Sequence, residues 1–147
     1  MKKRSRAREL ALQALYAFEI SQNPETSVLS QITEAEEDSE VASFAVKLFE
    51  TTVMHAESVD NEIVSVVENW DYERIALLDR LILRLALSEL LYFEEIPPKV
   101  TINEAIDLAK KYSTAQSGRF VNGILDSLYH KYKSAKELIK RGRGLID

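Results

Sequence analysis

Positive charge is concentrated at the amino end of the chain, in the side chains of Lys2, Lys3, Arg4, Arg6 and Arg8. This segment, residues 2–8, is here called the arm and contains no acidic residue. The whole chain, in contrast, carries a formal net charge of −5. The chain holds 19 cations and 24 acids, so residues 9–147 keep 14 cations against the same 24 acids. A basic arm on an acidic body is typical of a segment that contacts a polyanion. A terminus that is only solubilising or frayed is the alternative.

The arm runs into a predicted amphipathic helix over residues 4–21. Its apolar residues follow helical steps of three and four at Ala7, Leu10, Ala11, Ala14, Leu15 and Phe18. At about 100° per residue, the opposite face collects Arg6, Glu9, Gln13 and Tyr16. Arginine, an amide and an aromatic ring on one wet face can pair with phosphate, read a base edge and stack on a base. We therefore predict an RNA contact here, with packing of Tyr16 against another helix as the alternative.

A second candidate patch precedes the apolar residues of the last predicted helix, at Ser117, Gly118, Arg119 and Phe120. A helix amino terminus binds anions favourably, and Arg119 adds positive charge to it. The structural alternative is that Phe120 packs in the core and Arg119 is solvated.

Catalytic and metal-binding patterns are absent from the sequence. The chain has no Cys, only two His (His55 and His130), and no Gly-rich phosphate loop or nucleophile elbow. His130 falls near a predicted helix carboxyl end, where the helix dipole would stabilise it. We expect no enzyme activity, no metal and no cofactor.

The composition is that of a helical protein. Only four Gly and three Pro occur in 147 residues, and no strand-like alternation or repeat is visible. Apolar spacing predicts helices over residues 4–21, 39–55 and 59–70, with a short helix possible over 28–36. No Gly or Pro separates the apolar stripes over residues 39–55 and 59–70. These residues therefore form either one long helix or two helices with a break near Ser58. The second of these stripes ends at Trp70.

The most apolar segment, residues 75–93, is apolar on nearly every side and predicts a central helix. A further helix follows over about 98–111, starting either at Pro98 or later at a capping box formed by Thr101 and Glu104. Residues 113–118 are predicted as a loop before a last helix with apolar residues over 121–132 and a basic tail over 133–143. Together these elements predict an all-α fold, a compact bundle of six or seven helices in one packed unit.

An acidic run lies between the first two long helices, at Glu34, Glu36, Glu37, Asp38 and Glu40. Such a run is typical of a solvated face or of favourable charge at a helix amino terminus. Docking of a basic partner is the alternative.

The chain is expected to act in the cytoplasm, without membrane contact. Residues 75–93 contain four charged side chains, too many for a segment that spans a bilayer. The basic start resembles an export signal, but Glu9 and Glu19 interrupt its apolar part. The absence of Cys fits a reducing compartment.

Three motifs, taken together and in this order, resemble the NusB family of bacterial transcription antitermination factors. They are RARELALQALY at residues 6–16, LDRLILRLALSEL at 78–90, and INEAIDLAKK at 102–111 followed by FVNGILD at 120–126. The resemblance covers nearly the whole chain and is weakest over residues 22–70.

The resemblance implies an all-helical fold of two perpendicular subdomains, with an amino-terminal half of about 1–70 and a carboxyl-terminal half of about 71–147 in one RNA-binding domain. It also implies binding of single-stranded boxA-type RNA from ribosomal RNA transcripts. The expected protein partner is NusE, a ribosomal protein, and contact with RNA polymerase and other Nus factors would be indirect. A homodimer that covers the RNA face remains possible, since family members differ in self-association.

Combined with the residue patterns, the resemblance defines a candidate site. The predicted RNA-binding residues are Lys2, Lys3, Arg4, Arg6, Arg8, Gln13, Tyr16, Arg119 and Phe120. The predicted partner-binding residues are Asp79, Arg80, Arg84 and Gln116. Gln116 stands where relatives sometimes carry an acid.

Two other functions stay open at this point. The acidic body would suit a protein-interaction module that docks a basic ribosomal protein without touching RNA. Domains that resemble NusB also precede the catalytic domain of RNA cytosine methyltransferases, but no such domain follows in this sequence.

Overall fold

The computed structural model describes residues 2–67 and 72–146, apart from the side chain of Glu73. Within these ranges every regular element is helical, which confirms the all-α prediction. The seven α-helices are α1 (Lys3–Ser21), α2 (Glu25–Ala35), α3 (Ser39–Met54), α4 (Ala56–Val66), α5 (Leu77–Tyr92), α6 (Pro98–Tyr112) and α7 (Ala115–Ala135). Short 3₁₀ turns occur at Tyr72–Arg74 and Gly142–Leu145. Trp70, predicted to end the stripe that forms α4, lies outside the described residues.

The helices form two compact units, residues 1–54 with α1 to α3 and residues 55–147 with α4 to α7. The division falls at His55, well before the predicted boundary near residue 70. Because α3 ends at Met54 and α4 begins at Ala56, the predicted break near Ser58 is real but lies slightly earlier. That the whole chain works as a single domain stays a prediction.

In the first unit, α1 packs along α3 in the same direction. The Phe18 and Phe49 rings meet edge to face with centroids 5.9 Å apart, and Phe49 is fully buried. Asp38 caps α3, because its Oδ1 accepts a hydrogen bond of 2.9 Å from the backbone N–H of Glu40. Part of the acidic run therefore stabilises a helix amino terminus, as predicted.

Burial of α1 extends further around the helix than the apolar spacing predicts. Arg8 and Glu9 are only 4% and 5% exposed, so the expectation that Glu9 lies on the wet face was wrong. Gln13 and Tyr16 remain exposed, with 43% of the Tyr16 surface accessible. The open part of α1 is consequently a narrow stripe.

In the second unit, α5 is the central helix, and its residues are buried from Leu81 to Leu90 except at Arg84. The neighbouring α6 begins at Pro98, which suits a first helical turn. Thr101 lies inside this helix and donates a hydrogen bond to the buried carboxylate of Glu89, so Thr101 does not begin a capping box.

The amino end of α7 differs from the prediction. Residues 113–118 do not form a loop, because α7 already begins at Ala115. The Thr114 hydroxyl caps the helix by accepting a hydrogen bond of 3.0 Å from the backbone N–H of Ser117. The helix amino terminus, which was predicted at residues 117–120, therefore lies at residue 115, and Arg119 lies beyond the first free N–H groups.

The basic tail packs on the carboxyl end of α5. Lys140 Nζ donates to the Phe93 carbonyl at 3.0 Å, and the Arg141 backbone N–H donates to the Glu94 carbonyl at 2.9 Å. A Cβ at Gly144 would lie 1.9 Å from the same Glu94 carbonyl oxygen, so this close approach requires glycine. None of the helices in the described ranges has the length and apolar character needed to cross a bilayer.

Candidate nucleic-acid interface

One face of α1 presents a row of polar side chains, here called the α1 stripe: Lys2, Arg6, Gln13 and Tyr16. At 100° per residue Arg6, Gln13 and Tyr16 lie within about 80° of one another, and they extend over about 15 Å at 1.5 Å per residue. Lys2 is the N-cap residue just before α1. Lys2, Gln13 and Tyr16 are exposed and Arg6 is half-buried. Glu9 lies between Arg6 and Gln13 on the same face but is buried, and its Oε2 is 3.5 Å from Arg6 Nη1. The stripe therefore holds an exposed ring at one end, cationic groups at the other end and an amide between them.

The arm cations outside the stripe contact α3. The Arg4 guanidinium is 4.7 Å and the Arg8 guanidinium 5.6 Å from the centre of the Phe44 ring. Arg4 is exposed, whereas Arg8 is buried. An RNA phosphate can reach Arg4 but not Arg8, so the prediction that all five arm cations contact RNA conflicts with the position of Arg8.

Lys3 belongs to an ion-pair cluster at the amino ends of α1 and α3. Its Nζ lies 3.1 Å from Glu40 Oε2 and 3.3 Å from Asp38 Oδ2. The hydrogen bond to Glu40, followed by that to Asp38, raises the pKa of Lys3 above its usual value. All three side chains are solvent-accessible, and exposed pairs of this kind contribute little free energy. Lys3 therefore stays cationic and can exchange its carboxylate partners for phosphate.

A second group of predicted residues, the α7 cluster, lies within the second unit: Gln116, Arg119 and Phe120. Gln116 and Arg119 are exposed and Phe120 is half-buried. The three positions fall on one side of α7, because they are separated by three and four residues. Phe120 is thus neither fully buried nor fully open, which is intermediate between the two alternatives predicted for it.

Asp79 of α5 lies against the amino end of α7 and is only 7% exposed. Its Oδ2 accepts a hydrogen bond of 2.9 Å from the Ser117 hydroxyl, which also lies within hydrogen-bond distance of Thr114 and Ser113. The predicted contact of Asp79 with a partner is therefore not a surface contact in this structure. Asp79 instead holds the first turn of α7, which carries the α7 cluster.

Arg84 also has an internal partner. Its Nε and Nη2 donate to the two carboxylate oxygens of Asp60 at 2.7 and 2.8 Å, and both side chains are largely buried. The Tyr72 hydroxyl donates to the same Asp60 at 2.8 Å, and burial, followed by that hydrogen bond, raises the pKa of Tyr72. The Arg80 guanidinium lies 5.8 Å from the centre of the Tyr72 ring. Arg84 therefore ties α5 to α4, and only Gln116 of the predicted partner residues is fully exposed.

We expect Arg84→Met to lower the free energy of unfolding by about 1–3 kcal/mol, because it leaves the Asp60 carboxylate partly buried with a single donor. Urea denaturation measures the change. Lys131→Met is a matched control, since it removes the exposed ion pair between Lys131 and Glu62 on the same α4. The control should lose less than about 1 kcal/mol. Equal losses in the two variants would contradict a structural role for Arg84.

The sequence model of the NusB family matches residues 5–130 of this chain. The chain belongs to the NusB family.

Individual NusB proteins are similar over nearly the whole length. The transcription antitermination protein NusB of Salinibacter ruber is 42% identical over 148 residues, which cover 99% of this chain and 92% of that protein. T. maritima NusB has a TM-score of 0.82 at 34% identity, covering 94% of this chain and 99% of that one. A chain from a crystal structure of the antitermination factors NusB and NusE in complex with dsRNA has a TM-score of 0.81 at 28% identity. The match covers 90% of this chain and 99% of that one.

Two features of the candidate site were not predicted from the sequence. The contact of the Arg4 guanidinium with the Phe44 ring was not predicted, because Phe44 also fits the apolar spacing of α3 and looks like a core residue. The hydroxyl network around Asp79 was also missed, although Thr114 and Ser117 have the spacing of a helix cap. The roles of the α1 stripe and the α7 cluster in binding stay predictions.

Proposed function

We propose that this NusB-family chain is a transcription antitermination factor. It binds boxA-type RNA of ribosomal RNA transcripts together with the ribosomal protein NusE, and it helps RNA polymerase to resist premature termination. Its role is regulatory and not catalytic, and it is exerted in the cytoplasm, where transcripts are made.

The observation that carries the proposal is the exposed Tyr16 ring beside Gln13, in line with Lys2 and Arg6. A tyrosine with 43% of its surface accessible gains little from the core, but it offers a flat face on which a base stacks. The amide of Gln13 can donate to and accept from a base edge, while Lys2 and Arg6 neutralise phosphates. Arg4 and Lys3 extend this charge around the amino end of α1.

The protein partner is inferred from charge and family. Outside the arm the chain has a large excess of acids, which favours association with a basic ribosomal protein. The similar structure that contains NusB, NusE and dsRNA supports the choice of NusE. On α7, Gln116 is exposed and can contact the partner directly. Asp79 contributes indirectly, because it holds the first turn of α7, which carries Gln116.

The test is RNA binding measured with a boxA sequence and a scrambled sequence of equal length, each as a single strand and as a duplex, with and without NusE. We expect the boxA single strand to bind most tightly, and NusE to strengthen this binding. Equal affinity for both sequences with NusE present would contradict the proposed recognition of boxA.

The alternative of a protein-docking module is favoured by two observations, because Arg8 is buried and Lys3 is paired with acids. It predicts that NusE binds normally to a chain whose arm cations are neutralised. It also predicts that the complex of NusE with the unmodified chain retains no RNA. Retention of boxA RNA by the unmodified complex would exclude it.

A further inference from the structure

A groove runs between α6 and α7 in the second unit, away from the residues assigned above. Its open volume is about 340 Å³. The side chains that line it and carry polar groups are Lys99, Asn103, Asp126, Tyr129 and Lys133. Lys99 and Asn103 are four residues apart on α6, and the other three are three and four apart on α7, so each helix contributes one continuous face.

The groove is distinct from the α7 cluster. Tyr129 follows Phe120 by nine residues, which places the two rings on opposite sides of α7 and about 13 Å apart along its axis. The buried Pro98 and the half-buried Ile102 form an apolar wall beside the Tyr129 ring. The groove therefore has its own aromatic surface.

Two ammonium groups at the groove are available to a ligand. Neither Lys99 nor Lys133 forms an ion pair within the described part of the chain, whereas Lys131 of the same α7 is paired with Glu62. Lys133 Nζ lies 5.6 Å from the centre of the Tyr129 ring, so positive charge and the aromatic ring meet at one place. In an acidic protein this combination favours a ligand that has both an anionic group and a flat ring.

Hydrogen-bonding groups at the groove match the edge of a base. The exposed Asn103 amide offers one donor group and one acceptor. Asp126 offers a carboxylate, whose Oδ1 is 3.4 Å from His130 Nε2 on the exposed surface. A carboxylate repels phosphate but accepts a hydrogen bond from an exocyclic amine, as carboxylates do from cytosine N4. The ligand is thus oriented with its amine toward Asp126 and its phosphate toward the lysines.

We propose that this groove binds one nucleotide of single-stranded RNA, with the base against Tyr129 and the phosphate at Lys99 and Lys133. A volume near 340 Å³ lies at the small end of ligand pockets and suits a single nucleotide. An acidic peptide would use the lysines alone and leave the ring and the amide without a partner. The inference rests on the proposed RNA-binding function and adds a second contact to it.

The direct test uses NMR with cytidine 5′-monophosphate, uridine 5′-monophosphate and inorganic phosphate as separate probes. We expect cytidine monophosphate to shift the signals of Tyr129 and Asn103, and to bind several-fold more tightly than uridine monophosphate, whose O4 cannot donate to Asp126. Asp126→Asn should reduce this preference. Shifts caused equally by phosphate and by both nucleotides would overturn the proposal, because they would indicate anion binding only. Equal competition by a polyglutamate peptide would also overturn it.

A pair of variants tests the groove in RNA binding. Lys99→Ala combined with Lys133→Ala should lower the magnitude of the log–log salt slope by about 0.7, because one phosphate contact is lost. Lys110→Ala combined with Lys131→Ala is the control, since it removes two exposed lysines from the same helices. An unchanged slope in the first variant would overturn the proposal. If the chain did not bind RNA at all, alanine at Lys2, Lys3 and Arg4 would also have no effect. Failure of the groove and failure of the whole RNA-binding function are therefore distinguishable.

Discussion

Replacing Lys2, Lys3 and Arg4 together with alanine should weaken RNA binding by at least about tenfold at low salt, because three phosphate contacts are lost. The unmodified chain offers four accessible arm cations, since Arg8 is buried. At about 0.7 per contact these cations contribute roughly −2.8 to its log–log salt slope, and the triple variant should lower the magnitude of the slope by about 2.1. Fluorescence anisotropy with labelled boxA RNA, repeated at two or more salt concentrations, measures both values.

The control for this prediction preserves charge, with Lys2→Arg, Lys3→Arg and Arg4→Lys in one chain, and its slope should match the original. Thermal unfolding should be little changed in both variants, since all three side chains are exposed. A triple alanine variant with normal affinity and slope would contradict an electrostatic role for the arm. Arg8→Ala, in contrast, should reduce stability, because it empties a buried position beside Phe44.

The second prediction concerns Tyr16. We expect Tyr16→Ala to weaken RNA binding by about 5- to 150-fold, which corresponds to about 1–3 kcal/mol for one stacked base. Tyr16→Phe should bind nearly as well as the original, because the ring and not the hydroxyl provides the stacking surface. The salt slope should stay the same in both variants, since no phosphate contact is removed.

Ile20→Ala is the matched control for Tyr16→Ala, because Ile20 is an exposed apolar residue one turn further along the same face of α1. It should change the RNA affinity by less than twofold, or about 0.4 kcal/mol. Equal losses at Tyr16 and Ile20 would indicate a general effect on α1. No loss at Tyr16 would remove the stacking step from the proposed function.

The helical class and most helix bounds were predictable from local pattern. The apolar spacing of α1 and the continuous apolar character of α5 depend on residues within a few turns of one another, so they are legible along the chain. Exposure of Tyr16 followed from the same spacing, because Tyr16 lies opposite the apolar stripe. The start of α7 was missed, since Ser117 and Gly118 have a turn-like composition and the cap at Thr114 overrides it.

The burial and ion pairing of individual charged residues could not be predicted from the local pattern. Arg8 and Arg84 look like surface cations in the sequence, yet Phe44 and Asp60, which come from other helices, hold them inside. The groove beside Tyr129 likewise exists only because α6 and α7 pack together. Helical periodicity depends on neighbours along the chain, whereas burial, ion pairing and cavities depend on partners that only folding brings within a few ångströms.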